Sequence, residues 1–226
     1  MALERAMKYS GAIAIVKERV KPERETNADA GFRRDWWLFG RPRVEMREAL
    51  DSLGRFVAIG AHVKRYASCW AEPWTLASNA VMIAAADDDY SMGILLSRAH
   101  EAWAWARSST LKGDLRYTPS TAFVTFPFPD PVSPDARAKV AAASSALYAR
   151  RSELCAEHQI GLTKLYNLMD EGGFADLKRL HLALDRAVVA AYGWPESAAQ
   201  DGAEVVRLLT ERNQEIVEGR RPYAPF

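Results

Sequence analysis

The sequence predicts an α+β protein: a mixed α/β domain over residues 30–130, then an α-helical bundle over residues 131–226, with an N-terminal helix and linker in residues 1–29. Two observations lead to this reading. Runs rich in β-branched and aromatic residues cluster between residues 55 and 84, whereas the chain after residue 134 is Ala-rich with helical spacing. Between them lies "PFPDPVSP", residues 127–134, whose prolines cannot continue a helix or donate to a sheet, so the boundary is set near Pro129–Ser133.

Residues 2–21 have helical composition up to Pro22, and the polar stretch "PERETNADAG" that follows predicts a linker. Pro42 suits the first turn of a helix running to about Leu53. "RFVAIGAHVKRY", "YASCWAEP" and "NAVMIAAA" predict strands, the last followed by the acidic turn Asp87-Asp88-Asp89. Residues 90–107 place Ile94, Leu95, Ala99, Ala102, Trp103 and Ala106 near helical spacing, and "STAFVTF" predicts a further short strand. Four helices are expected beyond the prolines, over residues 135–157, 162–169, 174–192 and 198–218. Gly172-Gly173 and Gly193-Trp194-Pro195 separate the later ones.

Composition narrows function only a little. A formal net charge of +1 favours no class of partner, but residues 1–70 carry 14 Lys/Arg against 9 Asp/Glu, a basic first third compatible with a phosphate-facing surface. The two cysteines, Cys69 and Cys155, have no paired spacing, which points to a reducing compartment and gives no metal cluster. The N-terminus is charged throughout, unlike a secretory signal, and no apolar run reaches the roughly 20 residues of a membrane span. A cytoplasmic protein without a membrane partner is expected.

No glycine-rich nucleotide motif, HExxH or GxSxG is present, and His62, His100, His158 and His181 are scattered, so the chain alone is expected not to be catalytic. Recognition chemistry is better represented. "LKGDLRY" sets Lys112, Asp114 and Arg116 at every second position, which on a strand or extended loop would share one face. A lysine can donate to guanine O6 and N7, and an aspartate can accept from the N4 amino group of the paired cytosine. The same pair also suits a surface ion pair worth less than about 1 kcal/mol. Arg33, Arg34, Arg41 and Arg43, interleaved with Trp36 and Trp37, and Lys64 with Arg65, are candidate phosphate contacts. The two tryptophans suit packing better than base stacking.

Three stretches occur in a familiar order: "RRDWWLFGRPRVEMREAL", "DDDYSMGILLSRAHEAWAWA" and "LKGDLRYTPSTAFVTFPFP". Together they resemble the target-recognition region of type IIG/IIL (MmeI-type) restriction–modification enzymes and their nuclease-free adenine-specific DNA methyltransferase relatives. "LTKLYNLMD" and "LHLALDRAVVAAYGW" are similar to the helical C-terminal segment of the same proteins, so the resemblance runs from about residue 8 to residue 216. It implies sequence-specific binding of double-stranded DNA, next to a methyltransferase domain of the same polypeptide that uses S-adenosylmethionine, and Mg where a nuclease domain is present. The chain itself lacks an NPPY-type tetrapeptide, a glycine-rich cofactor motif and a nuclease signature, so no cofactor is expected in it, and a C-terminal fragment of a longer enzyme is expected over a free-standing module. By resemblance, Lys112 and Asp114 read one G·C pair, Arg116 is a second reader or a support, and Asn79 suits adenine. The competing expectation is a protein–protein interaction module or specificity subunit that docks on a separate enzyme.

Overall fold

The computed structural model describes residues 1–41 and 43–225. The expected role of Pro42 at a helix start therefore lies outside the described residues. The chain divides into two compact units, residues 1–49 and 50–226.

The first unit is helical. It holds α1 (Leu3–Met7), α2 (Ser10–Arg19), α3 (Lys21–Glu25) and α4 (Ala30–Arg34), and α5 (Val44–Asp51) begins in it. Pro22 opens α3 instead of ending the N-terminal helix, because a proline in the first turn gives up an N–H that has no helical partner anyway. Asp29 caps α4, its carboxylate accepting from the Gly31 N–H at 2.7 Å, so the expected linker is largely helical. The tryptophans pack locally: Trp36 and Trp37 meet edge to face at 5.9 Å, and Lys21 Nζ lies 5.4 Å from the Trp36 ring centre.

The second unit carries two antiparallel three-stranded sheets. In the first, β1 (Phe56–Gly60) lies between β3 (Ser68–Ala71) and β4 (Val81–Ala84), with Ala58 opposite both Cys69 and Ile83. In the second, β6 (Asp114–Arg116) lies between β2 (His62–Val63) and β5 (Ser109–Leu111). Ala61 joins the two sheets: its N–H donates to Ala80 O at 2.8 Å and its carbonyl accepts from the Tyr117 N–H at 2.9 Å.

The core forms around α6 (Asp89–Leu96), in which every residue from Tyr90 to Leu96 is buried. The three adjacent aspartates are explained here. Asp88 caps α6 by accepting from the Ser91 N–H at 3.1 Å, Asp89 pairs with Arg55 at 3.0 Å, and the Asp87 carbonyl accepts from Arg55 at 2.9 Å. The expected single helix over 90–107 is interrupted at Ser97, and α7 spans Arg98–Arg107. The Arg98 N–H at the start of α7 donates to Asp185 Oδ1 at 2.8 Å, so the cap comes from a distant helix.

The helical half follows the sequence closely. It comprises α9 (Pro134–Glu157), α10 (Leu162–Asp170), α11 (Ala175–Ala191), a 3-10 turn (Glu196–Gln200) and α12 (Gly202–Val217). Ser133 caps α9, accepting from the Ala136 N–H at 3.1 Å, with Pro134 in the first turn. Helix α9 packs closely on α6 at Gly93, where a Cβ would stand 2.8 Å from Val140 Cγ1. It also ties the helices to the first sheet: buried Arg151 donates to Ser68 O at 2.8 Å, and Tyr148 OH accepts from the Trp70 N–H at 3.2 Å.

One strand expectation fails. Within "STAFVTF" the chain forms a short helix, α8 (Pro119–Ala122), followed by turns. Pro119 enters the first helical turn, and Pro127 and Pro129 have no N–H for a ladder. The carbonyls along "TFPFPD" are instead met by side chains of the helical half. Asn213 donates to Thr125 O at 2.7 Å, Tyr223 OH to Phe126 O at 3.2 Å, Tyr192 OH to Pro127 O at 2.9 Å, and Arg212 to Asp130 O. No helix among the described residues is long and apolar enough to cross a membrane.

Candidate nucleic-acid interface

The hairpin β5–β6 turns on two residues, Lys112 at φ 54° and Gly113 at φ 88°. Positive φ at both central positions is the type I′ combination, whose twist matches the flanking strands. Glycine adopts it freely, but a lysine there is strained where asparagine or glycine would be cheaper. Lys112 thus stands in the turn, not on a strand. The alternation expected for all three charges holds only for Asp114 and Arg116, which flank buried Leu115 and face the same exposed side.

Strand register completes that face. Arg116 lies opposite Ser109 on one neighbour and His62 on the other, and Asp114 lies opposite Leu111. Directly opposed residues share a face with Cβ atoms about 5 Å apart. The exposed side of the sheet therefore carries His62, Ser109, Leu111, Asp114 and Arg116. Among the described residues, the side chains of Lys112, Asp114 and Arg116 form no ion pair or hydrogen bond with each other or with a neighbour, and the Thr118 hydroxyl donates only to the Arg116 carbonyl, at 3.2 Å. The surface ion pair that the Lys–Asp spacing allowed is not formed, and the charged groups remain available.

Beside this face lies a groove of about 870 Å³ lined by His62, Asn79, Arg107, Arg116, Thr118 and Thr121, among others. Asn79 reaches it from the turn that leads into β4, in which the Val81 N–H donates to Ser78 O at 3.1 Å. Of the candidates, Asn79 and Arg116 thus share one groove, with Asp114 on the adjoining face and Lys112 at the hairpin tip. Lys64 is exposed just beyond β2. Arg65 turns elsewhere: it pairs with Asp170 and lies 5.3 Å over the Tyr166 ring, in a cleft between the Leu96–Glu101 region and helices α10 and α11. Arg33, Arg34, Arg41 and Arg43 belong to the first unit and are exposed. Arg33 donates to the Ala28 carbonyl at 2.9 Å, and Arg34 pairs with Asp35 at 2.7 Å.

A buried aromatic block supports the sheet. Tyr117, directly after Arg116, bonds through its hydroxyl to His100 Nε2 at 2.9 Å and stacks on Tyr66 at 6.1 Å. Tyr66 donates to Leu95 O at 2.7 Å, and His100 meets Phe126 edge to face at 4.6 Å. Burial pushes the His100 pKa down to about 3 and raises both tyrosines above their usual range, so all three are neutral near pH 7. In the sequence His62 is one of four scattered histidines, and no motif marks Arg107, Ser109 or Thr118. Only the pairing of β2 with β6 brings His62 beside Arg116, and no local spacing encodes that pairing.

The fold and the exposed face define a domain class that comparison with known proteins identifies. The family described as "MmeI, target recognition domain" matches residues 56–130, from the start of β1 to the end of "TFPFPD". Residues 56–130 therefore match an MmeI-type target recognition domain. It is 30% identical over 145 residues to DNA methyltransferase A of Bacillus subtilis (strain 168), a match that covers 64% of this chain and 15% of that protein. Its fold is similar to that of the Type IIL restriction–modification enzyme MmeI solved in complex with DNA, with a TM-score of 0.66 and 19% identity over 91% of this chain and 26% of that one. The chain thus spans a minor part of either relative.

Proposed function

We propose that this chain binds duplex DNA at a defined sequence, as the recognition part of a restriction–modification enzyme or S-adenosylmethionine-dependent adenine-N6 DNA methyltransferase. The observation that carries this reading is the exposed face of the second sheet. Within the segment that matches the recognition-domain family, Arg116 stands in register with His62 and Asp114 shares its exposed face; both side chains lack internal partners, and the face adjoins the groove of Asn79. Charged groups that satisfy no neighbour in the folded chain are ready to satisfy an external one.

In this reading Asp114 accepts from a cytosine N4 amino group and Lys112 donates to the paired guanine. The strained backbone at Lys112 supports it, because unfavourable conformations persist where function selects the side chain. Arg116 reads a neighbouring guanine or holds a phosphate, and Asn79 bonds an adenine edge in the groove. Lys64, Arg33, Arg34, Arg41 and Arg43 set register through phosphates without reading sequence, and Arg107, which lines the groove of Asn79, joins them. The helical half supports the recognition part through its bonds to "TFPFPD".

Neither S-adenosylmethionine nor Mg is given a site in this chain. The sequence offers no glycine-rich cradle, and among the described residues no group of three His, Cys, Asp or Glu side chains is placed to hold a metal. Both belong, in this proposal, to a methyltransferase or nuclease domain elsewhere in the polypeptide.

The test is selection of duplexes from a randomised pool by the purified 226-residue chain. Enrichment of one defined site, bound at least 10-fold tighter than scrambled duplex, is expected. Binding equally strong to every duplex, or none at low salt, would contradict the proposal.

A further inference from the structure

The last strand pair before the hairpin turn sets Leu111 directly opposite Asp114. Both side chains lie on the exposed face, with Cβ atoms about 5 Å apart. Leu111 is 53% exposed, an apolar side chain held beside an unpaired carboxylate and away from the buried core.

The chemistry of the pyrimidine edge makes this pair informative. In the major groove, the group on C4 of a pyrimidine, an amino group in cytosine and O4 in thymine, lies next to the substituent on C5. A carboxylate that accepts from the cytosine amino group therefore has the C5 edge of the same ring beside it. Leu111 is the neighbour of Asp114 placed to cover that edge. Thymine offers a methyl group at C5 but an acceptor at position 4, which the carboxylate repels. Only a cytosine carrying a C5 methyl group satisfies both side chains.

We propose that Leu111 and Asp114 together form a subsite for 5-methylcytosine, so that C5 methylation of the cytosine read by Asp114 strengthens binding. This rests on the reading of Asp114 as an acceptor from cytosine. Unmethylated cytosine is still bound, with Leu111 left partly in water. Covering one methyl group is worth about a fourfold change in affinity, from roughly 0.8 kcal/mol per buried carbon.

The experiment measures Kd by fluorescence anisotropy for the full chain on its selected site, with cytosine or 5-methylcytosine at the position read by Asp114. That position is the one whose cytosine preference disappears on selection with Asp114→Ala. Wild type is expected to bind the methylated duplex about two- to fourfold tighter. Leu111→Ala, and Leu111→Gln, which keeps the length but adds a polar end, should bind both duplexes alike. Thermal melting of each variant confirms that the fold is retained.

Equal or weaker binding of wild type to the methylated site overturns the proposal, as does an enhancement that persists in both Leu111 variants. If Asp114→Ala leaves every cytosine preference unchanged, the reading of Asp114 itself fails and the subsite falls with it. If that preference is lost while methylation has no effect, only the role of Leu111 fails.

Discussion

Acidification should destabilise the chain through His100, the fully buried imidazole bonded to Tyr117 beneath the recognition sheet. Burial lowers its pKa from 6.5 to about 3 in the folded chain, while the unfolded chain keeps a value near 6.5. Between these values the unfolded state holds one proton more, so stability is complete above pH 6.5 and falls with pH toward 3. The slope approaches about 1.4 kcal/mol per pH unit below pH 6, so lowering the pH from 6.5 to 4.5 removes roughly 2 kcal/mol. For a chain of this size that lowers Tm by on the order of 10 °C.

Other groups titrate in the same window. His181, lowered to about 4, acts in the same direction as His100. Asp185, raised to about 6, and Glu101, also raised, act in the opposite one, because the folded state then holds the extra proton. The comparison that isolates His100 is therefore wild type against His100→Phe combined with Tyr117→Phe, which removes both partners and leaves neither polar group unsatisfied. Urea unfolding at several pH values gives both curves, and any constant offset between them is immaterial. The variant should lack the extra 1.4 kcal/mol per pH unit. Parallel curves between pH 4.5 and 6.5 would refute the reasoning.

Three further outcomes are expected. Arg151→Met should cost about 2–3 kcal/mol in chemical denaturation, because Ser68 O loses its buried charged donor, while the folded chain keeps its DNA preference. Lys112→Asn should stabilise the hairpin by several tenths of a kcal/mol, since asparagine tolerates positive φ, and should lose the guanine preference; unchanged selection would remove Lys112 from the readers. Lys64→Ala should lower the slope of log K against log salt by about one, whereas Arg65→Ala, whose partner is Asp170, should leave the slope unchanged and lower stability instead.

The helical half was legible because its signals are local. Ser133-Pro134 marks the start of α9, and glycines near residues 172 and 193 interrupt the later helices. Strands β1, β3 and β4 followed from their β-branched and aromatic runs. The misread elements depended on distant partners or on turn chemistry. The break at Ser97 is fixed by Asp185 from α11, and "STAFVTF" yields to Pro119 and to side chains of α12 and the C-terminal segment that meet its carbonyls. Alternation puts Lys112 on one extended face with Asp114 and Arg116, although Lys-Gly is itself a turn signal, weaker than Asn-Gly. The residues of the candidate face were visible one by one. Their assembly, with His62 and Leu111 beside the charged pair, required strand register.

In the proposed function, Lys112 and Asp114 read a single base pair. Duplex selection with the double variant Lys112→Glu, Asp114→Arg, in parallel with wild type, tests it most directly. Preference is expected to invert from guanine to cytosine on one strand at one position, with the rest of the site unchanged. Recovery of the wild-type base at every position would contradict it.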